Sequence, residues 1–140
     1  MSESIVFVIP GQAVGKGRPR FTKTGHAFTP TKTAQYEAMI RRLWDKSYPP
    51  LEGAVAVKII AGCQVPKGSS RKQRSLMLGG DIPHTKKPDV DNIAKIVLDG
   101  LNGLAYHDDA QVVELAVRRE YMAVPAVIVR ISPYEKNSVL

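Results

Sequence analysis

Two groups of carboxylates in this 140-residue chain are spaced for work on a cation. Asp89-Val90-Asp91 and Asp108-Asp109 are the tightest pairs among Asp81, Asp89, Asp91, Asp99, Asp108, Asp109 and Glu114. Hard divalent ions such as Mg2+ take carboxylate oxygens and keep several waters. Inside a regular helix the two side chains of an Asp-x-Asp pair point about 200° apart. Asp89 and Asp91 can therefore share an ion only where Asp89 lies at or before a helix start. Pro88 favours this placement, because it drives Lys87 into extended backbone. The same Asp89 also suits a plain N-cap, and Asp91 in the first turn would gain about 0.3–1 kcal/mol from the helix dipole. Capping and metal binding both remain open at this point.

Lys95 lies four residues after Asp91, on the same helical face. As a surface ion pair it contributes about 0.3–0.5 kcal/mol. Beside a metal-bound carboxylate it can instead contact a scissile phosphate or stabilise charge on a departing oxygen. Carboxylates plus a lysine are the usual needs of metal-dependent phosphodiester hydrolysis. Asp108 and Asp109 stand at the entrance of a strand and point to opposite faces, so one of them faces a site. His107 beside them reads as a loop residue. Cys63 alone, with His26, His84 and His107, argues against a structural zinc site.

The cations are distributed unevenly. Residues 1–88 hold 15 basic and 5 acidic side chains, whereas residues 89–140 hold 5 and 8, within a net charge of +7. That split suits a protein that holds a polyanion with one part and cations with another. Lys16-Gly17-Arg18-Pro19-Arg20-Phe21 offers three cations, glycine amides and an aromatic able to stack on a base. Gly11 to Gly17 is not a P-loop: the glycine spacing is short, and Gly17 stands where a Ser or Thr would hold Mg2+. Arg71, Lys72 and Arg74, with Lys67, form a second basic cluster, and Lys86-Lys87 a third.

The elements that must position these residues follow from pattern. Ser4–Pro10 is a β-branched apolar run and reads as a strand. Gly11–Gly25 reads as loop. Thr29-Pro30-Thr31 opens a helix to about Lys46, with Ala34, Ala38 and Leu43 near its apolar face and Met39 and Trp44 beside it. Val55–Cys63 is a second strand, and residues 64–88 are a long excursion with a short helix at Ser70–Leu78. Asp89–Asn102 is a helix with Val90, Ile93, Ala94, Val97 and Leu101 as its stripe, ended by Gly103. Gln111–Tyr121 and Val124–Ile131 are strands joined by a tight turn, antiparallel if neighbours. The class is α+β: one small domain over residues 1–140, a mixed or antiparallel sheet packed with two main helices. One cysteine excludes an intrachain disulfide, the apolar runs are too short to span a bilayer, and Met1–Ser4 lacks a basic n-region. The expected location is cytoplasmic.

Three segments carry a family resemblance: Lys87-Pro88-Asp89-Val90-Asp91-Asn92-Ile93-Ala94-Lys95, Leu98-Asp99-Gly100-Leu101-Asn102 and Tyr106-His107-Asp108-Asp109-Ala110-Gln111-Val112. Together they resemble RusA-type Holliday junction resolvases. Gly15–Phe21, Thr29–Thr33 and Tyr36-Glu37 resemble the phage and prophage members. The similarity runs from about Ile5 to Ile131, and the stretch Gly68–Asp81 is longer than in the shortest members. The resemblance implies a bacterial or phage-encoded homodimer that binds four-way DNA junctions and cuts two opposed strands symmetrically with Mg2+ or Mn2+. It places the three required aspartates at Asp89, Asp91 and Asp109, the required lysine at Lys95, and a further candidate ligand at Asp108. The DNA-contacting set is Lys16, Arg18, Arg20, Phe21, Arg71, Lys72, Arg74, Lys86 and Lys87. Two alternatives stand beside it. One is a nuclease of broader branched-DNA specificity, acting on flaps or forks. The other is a non-catalytic basic accessory protein of recombination, in which the acids are caps and surface charges.

Overall fold

The computed structural model describes residues 4–136. Its elements in chain order are β1 (Ile5–Pro10), β2 (Arg20–Phe21), β3 (Ala27–Phe28), α1 (Thr31–Leu43), β4 (Val55–Gln64), α2 (Arg71–Leu78), α3 (Val90–Leu101), a 3-10 turn at Asp109–Gln111, β5 (Val112–Met122) and β6 (Ala126–Pro133). Four strands form one mixed sheet in the order β1-β6-β4-β5. β6 is antiparallel to both β1 and β4, and β4 is parallel to β5.

β5 and β6 run in opposite directions, as their short connection requires, but they are not neighbours. β4 lies between them. The link at residues 123–125 crosses over the end of β4 at Gly62, where a Cβ would collide with the backbone of Ala126 and the sulfur of Met122. The missing side chain is what lets a three-residue link pass over a strand.

One face of the sheet is the core. Phe7 and Ile9 of β1, Val55, Val57, Ile59 and Ala61 of β4, and Val127, Val129 and Ile131 of β6 are buried there. They meet Tyr36 and Ile40 of α1 and Ile93, Ile96, Val97 and Leu101 of α3. Each such side chain contributes about 1.5–3 kcal/mol by leaving water. α1 and α3 touch at Gly100, where an added Cβ would stand 2.9 Å from Ile40 Cδ1.

The face of α1 corrects the sequence reading. Thr33, Tyr36 and Ile40 are buried, with Trp44 just beyond the helix, whereas Ala34 and Ala38 are exposed and Leu43 is 42% exposed. The larger side chains one stripe over remove more apolar area from water, so they decide the orientation. Pro30 is the N-cap rather than the first helical residue, and the helix stops at Leu43, because Trp44 is already extended. On α3, Ile96 and Gly100 join the buried stripe and Val90 stays 40% exposed. The loop expected over Gly11–Gly25 contains β2, which pairs with β3 as a small hairpin.

Candidate active site

The start of α3 is held from three sides. Asp89 occupies the N-cap with extended backbone (φ −75°, ψ 155°), and its carbonyl accepts the first helical bond from the Ile93 amide at 3.0 Å. Its carboxylate makes no capping bond. Among the described residues it pairs with Lys87 Nζ, at 3.3 Å in an exposed contact. The sequence left capping and metal binding open; here the cap position is filled and the capping bond is not made. Asp91 sits in the first turn and Lys95 one turn later, both exposed. Among the described residues neither makes a side-chain hydrogen bond or ion pair, so the Asp91–Lys95 surface pair is not formed. Asp89 at the cap, Asp91 in the first turn and Lys95 one turn later thus share one stretch of chain, Asp89 in an exposed pair with Lys87 and the other two unpaired among the described residues.

Neighbouring elements fix this segment through its backbone. Arg119 of β5 donates from one guanidinium nitrogen to the carbonyls of Lys86 (2.6 Å) and Pro88 (3.1 Å). From the other side the Lys16 amide donates to the Asn92 carbonyl at 2.9 Å. Gly15 lies so close that a Cβ there would stand 2.9 Å from Pro88 Cβ and 3.2 Å from Asn92 Cβ. The glycine-rich loop thus braces the helix start. Behind it His84 is buried against the edge of the Tyr121 ring, 5.0 Å between centroids. Burial, then the charges of Arg119 and Lys86, hold the His84 pKa below its ordinary value.

The second acidic pair is built differently. Asp108 caps the 3-10 turn, its carboxylate accepting from the Ala110 amide at 3.3 Å. Gln111 closes the capping box, accepting from the amides of His107 (2.7 Å) and Asp108 (3.0 Å). The same side-chain amide donates to the carbonyls of Leu51 (2.8 Å) and Gly53 (2.9 Å). Asp108 is therefore engaged, while Asp109 makes no side-chain bond among the described residues. His107 pairs with Glu52 at 2.8 Å. Tyr106 donates to the Leu98 carbonyl at 2.6 Å. Burial raises its hydroxyl pKa, and the charges of Asp109, Asp99 and Asp108 raise it further.

These contacts put Asp109 at the C-terminal end of α3, opposite Asp89. Val112, three residues after Asp109, pairs with Val55 at the start of β5. Arg119, which grips Pro88, lies seven residues further on, about 23 Å along a strand. Among the described residues no three His, Cys, Asp or Glu side chains gather as a metal cluster. Asp89 and Asp91 are two carboxylates at the start of α3 that do not cap the helix by a side-chain bond, the donor type that a hard divalent ion takes while keeping most of its waters.

The basic residues fall into two kinds. Lys16 is committed: its ammonium lies 2.6 Å from Glu37 and 3.0 Å from Asp99. Burial would lower its pKa, but the bonds to Glu37 and Asp99 outweigh burial and raise it. This pairing ties the loop to α1 and α3. Arg18, Arg20, Arg71, Lys72, Arg74, Lys86 and Lys87 are exposed, and Phe21 is 70% exposed. α2 buries none of its residues and starts with a Ser70–Gln73 capping box.

Sequence reasoning missed Arg119, Glu37 and Gln111. The Asp108-x-x-Gln111 spacing is a capping-box signal that locates the third. Arg119 works on backbone carbonyls and leaves no motif. No helix among the described residues is long and apolar enough to cross a membrane.

A protein of Bacillus subtilis (strain 168), described as "Uncharacterized protein YqaN", is 34% identical over 136 residues, which cover 92% of this chain and 96% of the relative. Residues 10–132, including both acidic groups, Lys95 and the bracing loop, match the family described as "Endodeoxyribonuclease RusA". The chain belongs to the RusA endodeoxyribonuclease family.

Proposed function

We propose that the protein is a Mg2+-dependent homodimeric endonuclease, with Mn2+ able to substitute, that resolves four-way DNA junctions by paired symmetric cuts in recombination and repair. The observation that carries this reading is the N-cap carboxylate of Asp89, which makes no capping bond beside an unpaired Asp91 and Lys95. Capping alone would have used that carboxylate, and an accessory DNA-binding protein has no need of non-capping acids facing a polyanion.

Asp89 and Asp91 would hold the cation. When bound, it supplies positive charge to a phosphate oxygen and acidifies an attacking water. Lys95, exposed on the same helix, places its ammonium where charge develops on the departing oxygen. Arg119 and the Lys16 amide hold the acidic segment still while this happens. Arg18, Arg20, Arg71, Lys72, Arg74, Lys86 and Lys87 contact phosphates on either side. Asp109 stands roughly one helix length from the pair within a chain, so it would join from a second copy. A two-fold dimer also supplies two equivalent sites for two equivalent strands. A cytoplasmic setting fits a protein that works on DNA.

The test is Mg2+-dependent cleavage of a mobile four-way junction, with products mapped on all four strands and a fork, a flap and a linear duplex run in parallel. Paired cuts on opposed strands of the junction support the reading. Equal cutting of forks and flaps replaces it with a broader branched-DNA nuclease, and no cutting of any substrate removes it.

A further inference from the structure

The β2–β3 hairpin carries two large apolar side chains in water, Phe21 at 70% and Phe28 at 46% exposure. Its register pairs Arg20 with Phe28 and Phe21 with Ala27. Directly opposed residues share a face and consecutive ones alternate. Phe28 therefore lies on one face of the ribbon with Arg20, and Phe21 lies on the other.

The ribbon is preformed. The Thr22 amide donates to the His26 carbonyl at 2.8 Å and the Gly25 amide to Thr22 at 2.9 Å, with Gly25 at φ +85° closing the turn. Its root is fixed by the Gly17 amide on Thr33 Oγ1 at 2.9 Å and by Lys16 on Glu37, Asp99 and the Asn92 carbonyl. Asn92 adjoins Asp91, and Arg20 is four residues from Lys16, at most about 14 Å of chain. The ribbon thus projects from beside the acidic pair. From Gly11 to Tyr36 the chain holds Lys16, Arg18, Arg20, Lys23 and Lys32 and no acidic residue.

We propose that this ribbon is a two-faced wedge that enters the branch point of the DNA, with Phe21 and Phe28 each stacking on the exposed base at the end of a different arm. The proposal rests on the nuclease reading above and deepens it by naming what selects a branch. Cations alone grip any duplex. In continuous duplex each base face is covered by its neighbour, whereas a branch point leaves faces open on two sides. Apolar wedges that enter base steps are an established use of such side chains, and one aromatic per face fits two arms.

The experiment measures affinity of the full-length protein for a four-way junction and for a duplex of equal length, in buffer without divalent cation. Removing one base–aromatic stack is expected to weaken junction binding by about 5- to 150-fold. Phe21→Ala and Phe28→Ala should each do so, with duplex affinity within about twofold of wild type and the salt slope unchanged. Phe21→Trp should restore junction affinity, which loss of fold would not allow. Phe21 is largely exposed and Phe28 about half exposed, so unfolding midpoints should stay near wild type. Unchanged junction affinity in both alanine variants, or an equal loss on junction and duplex, overturns the wedge while leaving the nuclease intact. A wild-type protein that neither prefers junctions nor cuts them overturns both.

Discussion

Replacing Arg119 with Ala should slow cleavage far more than it weakens DNA binding. The guanidinium bonds the carbonyls on both sides of the Lys87–Pro88 peptide, immediately before Asp89. Hydrogen bonds from a charged donor are worth about 1.5–3 kcal/mol each. The Lys86 carbonyl is exposed and water can replace its partner, so the net cost to stability is about 1–3 kcal/mol, mostly from the half-buried Pro88 bond. A domain holding about 5–15 kcal/mol survives that loss. Catalysis is less forgiving, because a displacement near 1 Å at a reacting group costs about 100-fold in rate. Single-turnover cleavage by Arg119→Ala is therefore expected at about 10- to 100-fold below wild type, with the Mg2+ midpoint raised. Arg119→Lys keeps the charge and one donor and should recover part of the rate. Junction affinity should change by only a few fold, as one cation among many is lost. A wild-type rate and Mg2+ midpoint in Arg119→Ala, alongside measurable destabilisation, would refute the positioning argument and leave Arg119 as a fold contact.

Other perturbations reach different parts of the account. Dimers formed by co-expressing an Asp91→Asn chain with an Asp109→Asn chain should regain cleavage of one strand, since one of their two shared sites is then intact; mixtures as inactive as their parents would place both acids in one chain's site. Changing Arg18 and Arg20 together to Ala should weaken junction binding and flatten its dependence on salt, and an unchanged slope would remove this loop from the DNA. Acid should destabilise the fold through His84. Its folded pKa is lowered by burial and then by Arg119 and Lys86, so its contribution is fully present above the unfolded value near 6.5 and is lost as pH falls through the folded one. Denaturant midpoints measured from pH 7.5 to 5 should decline, and the decline should shrink in His84→Gln; parallel curves would assign the acid sensitivity elsewhere.

The sequence made α3 readable because several signals agree there: Pro88 before the start, Asp89 at the cap, Gly103 past the end and an apolar stripe between. α1 was placed within three residues, yet its face was misread. Ala34 and Ala38 form a tidy stripe, but Tyr36 and Ile40 bury more area. Adjacency of β5 and β6 was not readable, because a short connection fixes direction and says nothing about a strand inserted between. Only Gly62, as the gap under the link, records that crossing, and a buried glycine in a strand has many other causes. The acidic residues were identifiable by type and spacing. Their separation along α3 was not, because it depends on β5 running back antiparallel to the helix. Lys16 read as a phosphate contact from its basic neighbours, and only the fold brings Glu37 and Asp99 to its ammonium.

Single-turnover cleavage of a mobile four-way junction in saturating Mg2+, with binding followed in parallel, tests the central claim most directly. Wild type should cut two opposed strands. Asp89→Asn and Asp91→Asn should bind the junction as tightly or more tightly and not cut it, since an amide keeps the shape and loses the charge that holds the cation. Lys95→Ala should bind normally and cut about 100-fold more slowly or worse, from the size of electrostatic transition-state effects. Cleavage at near wild-type rate by either asparagine variant would contradict the account, because the carboxylates that make no capping bond at the start of α3 would then have no part in the chemistry.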